Sequence, residues 1–297
     1  MCFNDIINFM KEGIVLLLGR PNVGKSTFLN NIIGQKVAIT SPKPQTTRFP
    51  IQGLYQEERG NIIFTDTPGI FQKATDGLAK NINQQTLNVV NKKVDAVIYM
   101  VDPTRRRDFE EAKVLGIARQ MQAPVLLVFN KADLEQKYIA QYKYLEDEFK
   151  DVFYISAIEQ KHISPLMKRL FELMPEKEKS SLITEGLIHP ILNMDSKTFV
   201  SELIREKIFI MMGEEIPYTI TVVVDEITER DNGMLYIKAR ILTTHDRYKS
   251  MLIGKAGRKI KEIGSYARKE IALATNKKVF LDLSVETNEN WQDTVYS

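Results

Sequence analysis

Eight residues near the start of the chain, Gly19-Arg20-Pro21-Asn22-Val23-Gly24-Lys25-Ser26, carry the spacing G-x-x-x-x-G-K-[ST]. Glycines in such a loop let the backbone approach a ligand closely, so successive N–H groups can point at phosphate oxygens. Lys25 would meet the β- and γ-phosphates, and the Ser26 hydroxyl would ligate Mg²⁺. The helix entered here adds its positive N-terminal end. Gly19 through Ser26, with Thr27 next in line, are the expected nucleotide contacts.

A phosphate loop alone does not choose between adenine and guanine; three later segments do. In Asp66-Thr67-Pro68-Gly69, Asp66 can hold Mg²⁺ through water and the Gly69 N–H can reach the γ-phosphate. In Asn130-Lys131-Ala132-Asp133, the Asp133 carboxylate can accept hydrogen bonds from guanine N1–H and N2–H₂. Adenine offers no such donor pair and would leave the carboxylate unpaired, at a cost of a few kcal/mol. Asn130 would brace the loops, the Lys131 stem would cover the base, and Ser156-Ala157 would place a backbone N–H near guanine O6. Four such segments in this order predict a GTP site.

The elements around them must bring these segments together. Short apolar runs at residues 14–18, 51–55, 61–65, 96–101, 125–129 and 152–155 read as strands. Patterns with helical spacing lie between most of them, at 26–33, 109–121, 138–149 and 163–174. That alternation predicts an α/β domain over residues 1–175 built on a mostly parallel, doubly wound sheet. The four segments then fall at the carboxyl ends of strands, on the edge where such sheets bind ligands. Pro175 should end the last helix, and the polar, mixed-charge stretch that follows makes 176–198 the expected linker.

From Thr198 the pattern changes. A helix at 199–212, a hairpin of strands at 218–227 and 234–243 around Asp231-Asn232-Gly233, two helical stretches and a strand at 279–285 give an α-β-β-α-α-β order. Between the two helical stretches lies Gly254-Lys255-Ala256-Gly257, the G-x-x-G of a type II KH domain over residues 199–297. Its glycines would let a sugar-phosphate backbone approach the next helix's N-terminus. Ile253, Ile260 and Ile263 would floor the site for splayed bases, with Lys255, Arg258, Lys259 and Lys261 supplying charge around it. Residues 247–278 carry ten basic and two acidic side chains, whereas 199–246 carry five basic and nine acidic. Positive charge is thus concentrated on the G-x-x-G element, as a phosphate-binding face requires.

Taken together, these motifs resemble the Era family of GTPases, within the translation-factor-related class, along nearly the whole chain. The wording Pro-Asn-Val-Gly-Lys-Ser is the family's, residues 39–48 look like its switch I, 202–207 match the helix opening its second domain, and 252–257 match its RNA-binding loop. The resemblance implies that Thr47 (with Thr46 the alternative) gives Mg²⁺ a second hydroxyl. It implies that Asn22 ligates a K⁺ that stands where an arginine finger would. Ras-like proteins place a Gln after the Asp-x-x-Gly glycine to orient the attacking water; here Ile70 stands there, and slow intrinsic hydrolysis follows. Lys25, Thr47, Asp66, Gly69 and Asn22 are accordingly the expected catalytic set. The residues themselves point to single-stranded RNA. The resemblance narrows this to the 3′ end of the small-subunit (16S) ribosomal RNA and to assembly of the 30S subunit by a monomer.

Composition sets the outer bounds. With 43% hydrophobic and 27% charged residues, the chain is ordinary globular material rather than disordered or fibrous. Cys2 is its one cysteine, so no internal disulfide or cysteine-based zinc site can form. His162, His189 and His245 lack metal-ligand spacing, and Arg105-Arg106-Arg107 reads as a solvated loop. No apolar run approaches the ~20 residues of a membrane span, and the first residues lack a secretory leader. A cytoplasmic protein is expected, with peripheral attachment to the inner face of the membrane as the variant that its basic face allows.

Overall fold

The computed structural model describes residues 9–40, 50–68, 93–178, 193–213 and 215–292. The chain divides into two compact units, Met1–Ala38 with Thr47–Asn193, and Ile39–Thr46 with Met194–Ser297.

The first unit holds strands β1 (Phe9–Leu18), β2 (Ile51–Glu57), β3 (Gly60–Asp66), β4 (Ala96–Val101), β5 (Val125–Phe129), β6 (Asp151–Tyr154) and β7 (Glu176–Glu178). Its sheet runs β2-β3-β1-β4-β5-β6, with β7 on β1. The pairs β3–β1, β1–β4, β4–β5 and β5–β6 are parallel, while β2 and β7 pair antiparallel. The expected mostly parallel sheet is therefore present. Every residue of β4 is buried, which is why it reads as an unbroken apolar run rather than an alternation. Among the helices are α1 (Lys25–Ile33), α2 (Phe109–Gln120), α3 (Leu145–Glu148) and α4 (Ile163–Leu173). The N-terminus of α2 is capped by Asp108, which accepts from the Glu111 N–H.

Two expectations need correction in this unit. Residues 176–178, assigned to the linker, extend the sheet instead. Their mixed charge looks solvated until the partner is known: Lys177 pairs with Glu12 at 3.1 Å and Lys11 with Glu176 at 3.2 Å across the two strands. Residues 138–149, expected as one helix, form a 3₁₀ turn at Ile139–Gln141 and then the single-turn α3. Tyr142 and Leu145 do pack in the core, as their spacing implies. The backbone is tightened instead into three-residue spans, with the Tyr142, Leu145 and Glu146 N–H groups donating to the Ile139, Tyr142 and Lys143 carbonyls.

The second unit runs α5 (Ser196–Met211), β8 (Ile220–Glu229), β9 (Leu235–Thr243), α6 (Asp246–Ile253), α7 (Arg258–Thr275) and β10 (Val279–Thr287). This is the expected α-β-β-α-α-β order. Strands β8 and β9 form the hairpin, with a bulge between Val224 and Glu226, and β10 adds parallel to β9. Gly233, at φ +74°, closes the hairpin turn by donating to the Arg230 carbonyl. Helix α5 packs on β8 and α7, and α7 on β10. The stretch after β10 has a clear task. Trp291 is fully buried, and its Nε1–H donates to the Thr219 carbonyl at 3.0 Å, so the segment just after β10 packs into this unit's core.

Candidate functional site

Because β1, β3, β5 and β6 are parallel, their carboxyl ends share one edge of the sheet. The G-x-x-x-x-G-K-[ST] loop leaves β1 there, Asp66 ends β3, Asn130 follows β5, and Ser156 follows β6.

The loop's shape is set at Gly24, whose φ is +106°; a Cβ there would collide with Asn130 Nδ2. Asn22 also lies in the left-handed region, at φ +64°. Lys25 is buried, and its Nζ donates to the Gly19 and Arg20 carbonyls at 2.9 and 3.2 Å, so the ammonium lies across the loop. Burial pushes the Lys25 ammonium pKa down, against an upward pull from Asp66. Burial pushes the Asp66 carboxyl up, against Lys25, the Ser26 hydroxyl and the Thr67 N–H. A phosphate arriving beside Lys25 would favour its charged form.

Ser26 Oγ donates to Asp66 Oδ2 at 2.6 Å, while Asp66 Oδ1 is buried without a hydrogen-bond partner among the described residues. A hydroxyl beside an under-satisfied carboxylate is an all-oxygen set suited to a hard cation. Among the described residues no group of three His, Cys, Asp or Glu side chains is placed to hold a metal. A cation at Ser26 and Asp66 would therefore draw its remaining ligands from phosphates, water or hydroxyls outside the described residues.

Asn130 joins three loops. Its Nδ2 donates to the Val23 carbonyl at 2.8 Å, and its Oδ1 accepts from the Ala157 N–H at 2.9 Å. Lys131 has φ +63°, and its Nζ pairs with Asp102 Oδ2 at 2.6 Å. Asp133 is exposed and accepts from Ser156 Oγ. The Ser156 and Ala157 N–H groups are both engaged inside the protein, with the Lys161 carbonyl and Asn130. Thr67 anchors the end of β3 by donating to the Leu17 carbonyl at 2.8 Å, and Pro68 follows it. Thr46, Thr47, Gly69 and Ile70 lie outside the described residues.

The Arg20 side chain takes no part in the loop's phosphate-facing surface. It is fully buried and points away from the loop, into a polar cluster with Asp108, Glu111 and Tyr142. Only the Arg20 backbone faces the Lys25 ammonium. The Arg105-Arg106-Arg107 run is more ordered than a solvated loop. Arg105 donates to the Pro21 carbonyl at 3.0 Å, and Arg106 and Arg107 lie over the Tyr138 and Tyr144 rings. Asp102 and Glu111 carry no motif signal of their own in the sequence. An acid directly after the apolar run of β4, on the edge that carries the other motifs, is the signal that could have found Asp102.

The second unit has its own groove, lined by Met211, Met212, Ile216, Met251, Gly254 and Lys255, with Arg258, Lys259 and Glu262 at its side. Gly254, at φ +69° and ψ 173°, ends α6 in a region open essentially to glycine alone. Ala256 and Gly257 are also left-handed, and Gly257 caps α7. Lys255, Ala256, Arg258 and Lys261 are exposed, while Ile253, Lys259 and Ile260 are half-buried. The apolar floor differs from expectation. Ile263 is fully buried in the core, and methionines from α5 and α6 supply the groove surface instead. They were not legible because α5 lies some forty residues upstream of the G-x-x-G loop. Polarizable, adaptable thioethers suit a face that receives bases of different shape.

Comparison with known proteins places the two units. The 50S ribosome-binding GTPase family model matches residues 14–131, and the KH domain model matches 215–292. The chain is 37% identical to the GTPase Era of Halothermothrix orenii over 289 residues, covering 95% of each. It is 39% identical to the GTPase Era of Thermoanaerobacter pseudethanolicus over 291 residues, covering 95% of this chain and 93% of that one. A crystal structure of a variant of Aquifex aeolicus Era bound to GDP·AlF₄⁻ superposes with a TM-score of 0.85 at 32% identity, covering 97% of both chains. A structure of Era with MgGDPNP and nucleotides 1506–1542 of 16S ribosomal RNA gives 0.86 at 32% identity and the same coverage.

Proposed function

Since the chain belongs to the Era family of GTPases, we propose that it couples a GTP hydrolysis cycle in its first unit to capture of single-stranded RNA by its second. The observation that carries the first half is Asn130, whose one amide bonds both to the phosphate loop at Val23 and to the loop at Ala157. Phosphate and base recognition are thereby held in one register.

In this reading Lys25 binds the β- and γ-phosphates, and Asp133 accepts from the two guanine donors. Ser26 directly and Asp66 through water hold Mg²⁺, which offsets the charge developing on the transferred phosphoryl group. The related structure with MgGDPNP supports that assignment. Thr47, as the second hydroxyl ligand, and the Gly69 N–H complete the site from the switch segments. Ile70 cannot hydrogen-bond the attacking water, so hydrolysis needs help from elsewhere. Asn22, in its left-handed turn, is proposed to ligate a K⁺ that supplies it. Single-turnover GTPase rates in KCl should exceed those in NaCl at least tenfold, and Asn22→Ala should abolish the difference. Equal rates in the two salts would remove the ion from the mechanism.

The RNA is proposed to be the 3′ end of the small-subunit ribosomal RNA, bound by a monomer in the cytoplasm during 30S assembly. The related complex with 16S nucleotides supports the identity, and the basic G-x-x-G groove supports the chemistry. If GTP favours RNA capture, RNA must tighten GTP by the same factor. Filter binding of a short single-stranded RNA of that 3′ end, with GDPNP or GDP present, tests both statements. The expected result is preference over a scrambled RNA and tighter binding with GDPNP. Equal affinity for both RNAs would sink the assignment. Anionic vesicles that compete with the RNA would transfer the basic face to a membrane surface instead. No helix of the described residues is long and apolar enough to cross one.

A further inference from the structure

The buried side chain of Arg20, beside the phosphate loop, has no part in the chemistry above, yet it is densely bonded. Arg20 Nη1 donates to the Arg106 carbonyl at 2.9 Å and to Asp108 Oδ2 at 2.7 Å. Nη2 donates to the Asp102 carbonyl at 3.2 Å and to the Tyr142 hydroxyl at 3.1 Å. Nε lies 3.1 Å from Glu111 Oε2, and Glu111 Oε1 accepts from the buried Tyr99 hydroxyl at 2.6 Å. The planar fork is thus held by the first turn of α2, the loop between β4 and α2, and the Tyr142 hydroxyl.

That loop leads to the base-recognition segment. Asp102, whose carbonyl Arg20 grips, is fully buried. Its Oδ1 accepts from the Thr104 N–H and hydroxyl at 3.0 and 2.6 Å, and its Oδ2 holds Lys131 Nζ at 2.6 Å. At the other end, the Arg20 carbonyl accepts from Lys25 Nζ at 3.2 Å. An unbroken polar path therefore runs from the phosphate-loop lysine, through the Arg20 backbone and guanidinium, to Asp102 and the lysine of Asn130-Lys131-Ala132-Asp133. Arg105, on the same loop, adds a second tie by donating to the Pro21 carbonyl.

We propose that Arg20 is a positioning residue for guanine selection: a buried strut that fixes the base-recognition loop relative to the phosphate loop. The inference rests on the GTP-site reading given above. Three features favour it over a purely stabilising role. A buried ion cluster is a poor source of stability compared with apolar packing of the same volume. A guanidinium fixes geometry in a way that a flexible ammonium cannot. Both ends of the path are residues assigned to the nucleotide, and neither end touches the other directly. Asn130 already ties the two loops directly, so the share left to Arg20 is the placement of the Asp102 backbone and, through Asp102, of the Lys131 ammonium.

The test compares GDP with inosine diphosphate, which lacks the guanine 2-amino group. Their affinity ratio reads the register of Asp133 on the base, and a loss of bulk stability leaves it unmoved. Arg20→Lys keeps the charge and loses the fork. Glu111→Gln, away from the nucleotide, loosens the clamp on Nε and serves if Arg20→Lys does not fold. Each variant should lower the GDP-to-inosine diphosphate affinity ratio by about 5–10-fold, within the usual range of site-to-site coupling. In a double-mutant cycle, Arg20→Lys and Lys131→Ala should be non-additive for GDP binding. A variant that melts earlier but retains the wild-type ratio within twofold would reduce Arg20 to packing. Wild-type protein that does not prefer GDP to ADP would instead overturn the guanine-site reading itself, so the two failures are distinguishable.

Discussion

Asp133→Asn should weaken GDP binding by about 10²–10⁴-fold and reverse the preference of the site toward xanthosine diphosphate. The carboxylate at this position accepts from two guanine donors, and each charge-assisted hydrogen bond is worth roughly 1.5–3 kcal/mol. An amide can still accept from N1–H, but its NH₂ would face the guanine 2-amino group donor to donor. Xanthine carries a carbonyl there and restores a matched pair. The fold should tolerate the change. Asp133 is exposed, and Ser156 Oγ, which now donates to Oδ1, can donate equally well to an amide oxygen. Stability is expected to remain within about 0.5 kcal/mol of wild type. Titration calorimetry with GDP and xanthosine diphosphate reads both affinities. Unchanged GDP affinity in Asp133→Asn would show that the base is selected elsewhere.

The nucleotide site was legible because its chemistry is local in sequence. Each of the four segments is a short run at a strand end, and a parallel sheet of buried apolar strands brings such ends to one edge without further information. Strands β4 and β5 could be read for the same reason, since burial on both faces makes them continuous apolar runs. What could not be read depended on a partner distant in the chain. The Glu-Lys-Glu of β7 is indistinguishable from a linker until Lys11 and Glu12 stand opposite it. Arg20 reads as part of the phosphate loop through its backbone, and the inward turn of its side chain depends on Asp102, Asp108 and Glu111. The helical spacing of Tyr142 marks it as a packing position, but the bonds of its hydroxyl to Arg20 and the Arg105 carbonyl depend on partners distant in the chain. In the second unit the element order and the G-x-x-G were local and legible. The methionine floor was not, because α5 delivers it from outside the motif.

The two glycines of that motif look equivalent in sequence, but the backbone separates them, and the difference yields a second large effect. Gly254 has φ +69° and ψ 173°, and a Cβ there would lie 2.7 Å from Lys259 Cβ and 3.1 Å from its backbone nitrogen. Any side chain must therefore displace the first turn of α7, the turn whose N-terminus faces the groove. Gly257, at φ +72°, has open space where its Cβ would go, and a side chain pays only the left-handed strain of about 1 kcal/mol. Gly254→Ala should thus lower affinity for single-stranded RNA at least 20-fold, whereas Gly257→Asn, whose side chain tolerates this conformation, should lower it by threefold or less. GTP binding should be unchanged in both. A third variant separates lost charge from lost shape. Lys255→Ala leaves the backbone intact, so it should weaken binding moderately and reduce the slope of log affinity against log salt by about 0.7. In Gly254→Ala the phosphate-facing cations remain present but misplaced, so a larger loss of affinity should accompany a weaker dependence on RNA sequence. Equal losses for the two glycines, with melting temperatures matched to wild type, would mean that the close approach at Gly254 does not shape the groove and that charge alone holds the RNA.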